Sequence, residues 1–486
     1  MRLSRIPSLV LITMCTLQGG VVAQETADFG LAITRLELRL DLNHEDGSLA
    51  GSASYEIVNL SNTQVSEVPF NLGRLMTVQS VSFVEGGNLE FSQNVIVFVD
   101  SPRLQVNHVL VSLPRPLAPG SEVTLRLDYS GFLVGYTETG TLYVQDRVVW
   151  NALAPYRPDG RFSILRADAF AWPVLGTLNR RLNRVAPRPD FSFSALVAVP
   201  EPYLVASSGR LVEQGTHDGR TSFFYESNAP VPFLNLPIAE YAVRKGPGVR
   251  VYHFPADSAG GVRVLEGATR GLELLANWFG PLGVTPDLAV MEIPEMWGSQ
   301  ASLAGGIIQT ADAFGKAGSM SALYHELSHL WNARDLDQPS ARWNEGLATF
   351  LASRMAEQLD GSEEMGDAVQ STTERLLAAV SRTPEIASVP FSQFGEAGLT
   401  DLSYRVGFLM FYSLDAALGK DAFNAVLRRF FQEHKDRGWT FEGLAEHLKA
   451  QTQQDLSGFL DDWFYTTAWF EKLRAGIPPN EIGFRR

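Results

Sequence analysis

The stretch from Tyr324 to Phe350, YHELSHLWNARDLDQPSARWNEGLATF, constrains this chain more than any other. Positions i and i+4 of a helix share a face, so His325 and His329 can hold one metal ion from the same side. Glu326 sits between them, within reach of a water on that ion. Met320, Leu323, Leu327 and Leu330 recur at near-helical spacing, with no Pro or Gly from Ser319 to Gln338, which predicts a helix through the motif. Pro339 breaks the chain and Ser340 can cap a second helix, Ala341 to about Gln358. That helix would bring Glu345, which follows His329 after fifteen intervening residues, back over the histidines.

Two imidazoles and one carboxylate, with a fourth position left for water, form the ligand set of catalytic zinc; structural zinc asks for Cys in a closed shell. The only cysteine here is Cys15, near the amino terminus. The expectation is therefore one Zn2+ per chain, held by His325, His329 and Glu345, with Glu326 as general base. A solvated surface helix is the plainer alternative, and it leaves the apolar surroundings of both segments unexplained.

The 486 residues suffice for two to four domains and a large core, and 45% hydrophobic with 19% charged residues is ordinary for a globular protein. Residues 1–23 read as a secretory signal peptide: Arg2 and Arg5, then the apolar run Leu9 to Leu17, then Val21-Val22-Ala23 as a small-residue cleavage site. The run is too short and interrupted to span a membrane, and no later segment is long and apolar enough to do so. Met14 is too large for the usual lipid-attachment motif at Cys15. The expected protein is exported, periplasmic or secreted, and free of disulfides once the leader is removed. Loss of Arg2 and Arg5 takes the net charge from −14 to −16, which does not favour nucleic acid.

Residues 24–245 are expected to form a β domain of layered sheets. Arg35 to Leu40 and Val123 to Leu127 alternate polar with apolar, and Glu45-Asp46-Gly47, Gly86-Gly87-Asn88 and Pro116 to Gly120 mark turns. From 246 to 486 the texture changes. Val249 to Phe254 and Leu288 to Ile293 read as strands and Leu265 to Phe279 as a helix. Apolar spacing predicts helices around Ala348 to Met355, Glu374 to Val380, Val406 to Leu418 and Ala422 to Glu433.

HELSHLW followed by RWNEGLATF resembles the zinc aminopeptidase family of aminopeptidase N and leukotriene hydrolase, the gluzincins with a thermolysin-like catalytic domain. The gap between the second histidine and the distant glutamate is shorter than the family's usual one. LRLDLNHEDGSLAGSASYEI and LPRPLAPGSEVTLRLDYSG resemble its amino-terminal β saddle domain. The resemblance implies a multidomain fold, an all-β saddle followed by an α+β thermolysin-like domain ending in helices, with a peptide as substrate. Tyr404-Arg405-Val406-Gly407-Phe408-Leu409 resembles the family helix whose tyrosine donates to the tetrahedral oxyanion, which implies that role for Tyr404.

Two departures matter. The family's Phe-Pro-x-x-Asp-Glu-Pro turn is matched only by Ala171 to Gly176, without the acidic pair. Pro294 to Thr310, PEMWGSQASLAGGIIQT, falls where the family has its Gly-x-Met-Glu-Asn strand, whose Glu grips the substrate's free amino group. The aligned positions are Ser302 or Leu303, so that carboxylate is missing. Gly305 and Gly306 resemble the strand and are the implied substrate contacts; Glu292, Glu295 or Asp168 could replace the anchor. No carboxy-terminal superhelix follows, which implies an open cleft or one covered by a second subunit in a homo-oligomer.

The leading expectation is an exported zinc metallopeptidase, aminopeptidase-like. Its alternatives are an oligo- or endopeptidase lacking the amino-terminus anchor, and a zinc-containing peptide-binding protein with little turnover. Epoxide hydrolysis, performed by one branch of the family, has no specific support here.

Overall fold

The computed structural model describes residues 30–44, 46–133, 162–180, 189–282, 287–294, 298–302, 306–315, 320–337, 339–361, 364–435 and 437–484. The expected leader lies outside them, as do Leu303, Gly305 and Glu295.

Alternation builds the first half. The strand Leu31–Leu42 buries Leu36, Leu38, Leu40 and Leu42 and exposes Glu37, Arg39 and Asp41, the pattern of a sheet with one face in a core. It lies fourth in a seven-stranded sheet ordered Arg210–His217, Arg220–Glu226, Ser192–Pro200, Leu31–Leu42, Ser48–Asn59, Glu122–Phe132, Met76–Phe83. Leu31–Leu42 and Ser192–Pro200 pair in parallel; the other neighbours are antiparallel. A four-stranded sheet ordered Phe91–Phe98, Ser101–Leu117, Val65–Leu72, Val174–Leu175 shares one apolar cluster with it. Tyr55 and Phe70 meet across the layers with ring centroids 5.1 Å apart. The altered turn is used inside this core. Trp172 is buried in it, the Tyr55 hydroxyl donates to the Pro173 carbonyl, and the Tyr129 hydroxyl donates to the Ala171 carbonyl.

A three-stranded sheet, Leu204–Val205, Asn235–Ala239, Phe162–Arg166, connects this layered part to the one that carries the site. There a five-stranded sheet is ordered Ala242–Gly246, Val249–His253, Leu288–Ile293, Gly306–Thr310, Gln300–Ser302. Its three inner strands are buried along their whole length, which is why they read as near-continuous apolar runs. Val251, Val290 and Ile307 face the helical core, whereas Tyr252, Met291 and Ile308 face the three-stranded sheet. The sheet starts at Ala242, just before the expected change at 245/246, because Gly246 pairs with Val249 in a hairpin.

The longer helices are α1 (Ser258–Phe279), α2 (Ser321–His329), α3 (Trp343–Asp360), α4 (Glu364–Arg382), α5 (Ser403–Leu418), α6 (Lys420–His434) and α7 (Phe441–Gln451), with short helices at Ser457–Leu460 and Ala468–Arg474 after them. The expected segments Leu265–Phe279, Ala348–Met355, Glu374–Val380, Val406–Leu418 and Ala422–Glu433 each lie within one of the longer ones. The contact between α3 and α5 is set by glycine: a Cβ built on Gly346 would fall 2.5 Å from the Cα of Gly407. Only with hydrogen at that position can the two backbones approach so closely.

Candidate metal centre and active site

The side chains that could hold a metal ion come from α2 and the first turn of α3. Leu323 and Leu327 bury one side of α2 in the helical core, which leaves His325 and His329 on the side facing the cleft. The helix is shorter than the sequence suggests, ending at His329. A side-chain-organised loop replaces its expected continuation. Asp335 accepts hydrogen bonds from the Asp337 amide at 3.0 Å, the Ser340 hydroxyl at 2.9 Å and the Arg342 amide at 2.7 Å. These local bonds compete with helical ones. Burial raises the Asp335 carboxyl to about 6, against the pull of those donors. Ser340 is not the helix cap; Arg342 is, in the left-handed region at φ 58°, so α3 starts at Trp343. A non-glycine residue there is held by its surroundings at a conformational cost. Asn332 closes the loop by donating to the Asn344 carbonyl at 2.7 Å.

This loop places Glu345 over the histidines. His325 Nε2 lies 3.2 Å from Glu345 Oε2 and 3.1 Å from His329 Nε2, and His329 Nε2 lies 3.3 Å from Glu345 Oε2. Zinc at 2.0–2.1 Å from each ligand in a tetrahedron requires ligand atoms about 3.3 Å apart. The triangle fits that edge. Thr349 Oγ1 donates to the Glu345 carbonyl at 2.8 Å and lies 3.4 Å from His325 Nδ1. It can therefore accept the Nδ1 proton, leaving the Nε2 lone pair for the ion, the usual outer support of a ligating histidine. Burial would raise the Glu345 carboxyl, but the two histidines outweigh it and hold it well below the usual range. For His329, burial is outweighed by Glu345, and its pKa rises. Glu326 is buried, and its pKa is raised chiefly by that burial against the pull of His325 and His329; the Ala301 backbone hydrogen-bonds its carboxylate.

Tyr404, on the first turn of α5, joins the same cluster. Its ring stacks on His325 with centroids 5.8 Å apart, and burial pushes its hydroxyl pKa up. Arg342 Nη2 donates to the Tyr404 hydroxyl at 2.6 Å and lies 3.6 Å from Glu345 Oε1, while Nη1 reaches Asp401 at 3.2 Å. The tyrosine oxygen thus accepts from a guanidinium and keeps its own proton, which it shares with the Glu345 carboxylate.

The opposite wall is formed by Ser299, Gln300 and Ala301 with Pro232 and Phe233. Gln300 Oε1 accepts from Asn235 at 3.2 Å and from Arg166 at 3.4 Å. Ala301 lines the cleft with Ser299 and Gln300, and its backbone meets Glu326; Leu303 lies outside the described residues. Gly306 is not at the cleft wall. It lies between two hydrogen-bonded neighbours, Leu288–Ile293 and Gln300–Ser302, and a Cβ on it would meet Ser208 Cβ at 2.3 Å. The strand edge open to a peptide is that of Gln300–Ser302. Asp168 is ion-paired with Arg166, and Glu292 accepts from the Phe254 amide at 2.6 Å; neither lines the cleft. The residues that sequence reading passed over are Arg342, Thr349 and Gln300. Arg342 immediately precedes Trp-Asn-Glu-Gly, and Thr349 lies four residues beyond Glu345 on the same helical face. Those positions were the available signals.

Residues 309–463 match the Peptidase family M1 domain. Among solved structures, the M1 zinc metallopeptidase of Deinococcus radiodurans is 21% identical, over 91% of this chain and 97% of its own, with a TM-score of 0.65. A variant of that enzyme bound to a Tyr-Ser-Ala substrate aligns at 19% identity over the same shares, with a TM-score of 0.64. Native yeast LTA4 hydrolase is 15% identical over 91% of this chain and 70% of its own, with a TM-score of 0.66. These likenesses show the fold, a β-rich amino-terminal part followed by a helical carboxy-terminal part, and the domain match falls on the segment that carries His325, His329, Glu345 and Tyr404. The match to the Peptidase family M1 domain thus falls on residues 309–463, on a fold that the chain shares with M1 zinc metallopeptidases.

Proposed function

We propose that this protein is an exported zinc metallopeptidase that removes residues from the free amino termini of short peptides, with Glu326 as general base and Tyr404 as oxyanion donor. The observation that carries the reading is the triangle of His325, His329 and Glu345 at tetrahedral spacing, with Glu326 and Tyr404 on either side. When bound there, zinc supplies Lewis-acid chemistry toward a water and a peptide carbonyl. Glu326, kept in a dry pocket that raises its proton affinity, accepts the proton of the attacking water and delivers it to the leaving amine. Tyr404, already accepting from Arg342, donates to the oxygen that gains charge. The open edge of Gln300–Ser302 pairs with the substrate backbone as an added strand. The Tyr-Ser-Ala complex of the Deinococcus radiodurans enzyme supports a peptide of that size in this fold. The basic start and apolar run of residues 1–23 support export.

A second reading, an oligo- or endopeptidase, rests on one observation. Among the described residues that line the cleft, the carboxylates are Glu326 and Glu345, and both stand at the metal centre. No further acid there grips a substrate ammonium. A series of free and amino-blocked peptides separates the two. Cleavage confined to free termini is the expected outcome, and equal rates on blocked peptides would replace it with the second reading.

A further inference from the structure

A second group of ligand-type side chains lies away from the cleft, at the corner where α7 packs back on α6. His434 ends α6, Glu433 precedes it, and His447 comes from α7. Glu433 Oε2 stands 3.5 Å from His434 Nε2 and 3.8 Å from His447 Nδ1. One ligand atom from each of the three lies within 4.8 Å of the others. The two Glu433 separations stand near the tetrahedral edge of about 3.3 Å that zinc requires, and the two imidazole nitrogens, within 4.8 Å of each other, would draw together on binding.

The surroundings suit a ligand set. His447 is buried, and its Nε2 lies 3.1 Å from the Val426 carbonyl oxygen. A carbonyl can only accept, so Nε2 carries the proton and Nδ1 keeps its lone pair toward Glu433. A backbone carbonyl holding the far nitrogen is the usual outer partner of a metal-bound histidine. His434 is clamped by Trp439, with ring centroids 4.0 Å apart and planes 27° apart. The Glu433 side chain is 56% exposed and leaves the group open to solvent. Packing alone accounts for the stacked rings. The carboxylate oxygen set between two imidazole nitrogens is the feature that points to a ligand set.

We propose that Glu433, His434 and His447 form a second site, for a divalent transition-metal ion of the zinc, cobalt or nickel class. Two imidazoles and one carboxylate favour such ions over calcium or magnesium. The ion would clamp a corner that supports the cleft. Trp439 donates its amide to the Arg334 carbonyl at 2.8 Å and accepts from the Leu336 amide at 3.0 Å. The Phe441 amide donates to Asp337 at 2.7 Å. Arg334 itself lines the cleft.

The test is calorimetric titration with Co2+ of the full chain carrying one equivalent of zinc, with the cobalt absorption bands and the thermal midpoint followed alongside. Wild type is expected to take up one further equivalent and to gain thermal stability with it. Glu433→Ala, at an exposed position, and His434→Gln should weaken that equivalent by roughly tenfold or more, at least what losing an outer partner costs a metal site. Both should keep the catalytic ion and peptide turnover. His329→Ala should lose the catalytic ion yet retain the second binding event, so this proposal and the peptidase reading can fail separately. A wild-type chain that takes no second equivalent, or variants that take it with unchanged affinity, would overturn the site.

Discussion

The two walls of the cleft are built differently. The metal wall is local: α2, a side-chain-organised loop and the first turn of α3 carry all three ligands within twenty-one residues, His325 to Glu345. The facing wall is assembled from distant parts. Gln300 belongs to an edge strand, and its carbonyl is held by Asn235 and Arg166 of the three-stranded sheet. The metal wall holds His325, His329 and Glu345, whereas among its described residues the facing wall, Ser299 to Ala301 with Pro232 and Phe233, carries no carboxylate. Changes on the metal wall should therefore abolish chemistry, and changes on the facing wall should alter recognition.

The largest effect is expected from Glu326→Gln. The amide keeps the shape but cannot take a proton, so kcat should fall by roughly 10²–10⁴-fold, the usual contribution of a general base. Metal content should be unchanged, because Glu326 is not part of the ligand triangle. A zinc-loaded Gln variant with full turnover would remove Glu326 from the mechanism. Gly346→Ala should come next. Its Cβ would lie 2.5 Å from Gly407 Cα and 2.7 Å from the Ser403 carbonyl oxygen, and overpacking of this kind costs about 1–3 kcal/mol. The strain falls between Glu345 and Tyr404, so weaker metal retention should accompany the lower stability in denaturant melts and chelator competition. Wild-type values for both would mean that the glycine contact does not set the wall.

The metal wall was legible because a helix turns local spacing into geometry. His325 and His329 four residues apart need only a helix to converge, and the apolar Leu323 and Leu327 say which side is buried. Tyr404 was legible through resemblance alone, since nothing local links it to residues eighty positions earlier. The loop between α2 and α3 was not legible. The absence of Pro and Gly before Pro339 favoured a longer helix, and what ends it is the three-way acceptor Asp335. The left-handed Arg342 was hidden for a related reason: a backbone conformation that opposes residue preference is imposed by contacts, not announced by composition. The facing wall depended on pairing between strands far apart in sequence, so the segment 299–306 could be assigned to it only within a residue or two.

Asp335 offers a pH test of how far the loop belongs to the metal wall. Its carboxyl is raised from 3.8 to about 6 by burial. Between those values the folded chain holds a proton that the unfolded chain has released, so the contribution of this group to stability falls as pH rises through that window. Asp335→Asn removes the titration. Its thermal midpoint should vary less steeply than that of wild type between about pH 4 and pH 6, and parallel curves would show that Asp335 does not carry the raised proton affinity.

The smallest effect is expected on the facing wall, from Gln300→Ala. Gln300 lines the cleft but is not part of the ligand triangle, so its loss should leave the triangle in place. What is removed is the side chain through which Asn235 and Arg166 tie the edge strand to the three-stranded sheet. Losing one such net hydrogen bond, about 1 kcal/mol, corresponds to roughly a fivefold change in binding. If the edge strand holds substrate and transition state alike, KM should rise by about that factor with kcat unchanged. A fall in kcat at constant KM would instead mean that the strand positions Glu326, through the Ala301 backbone that touches its carboxylate. The two walls would then be one device, and the division between chemistry and recognition drawn from their construction would not hold in their function.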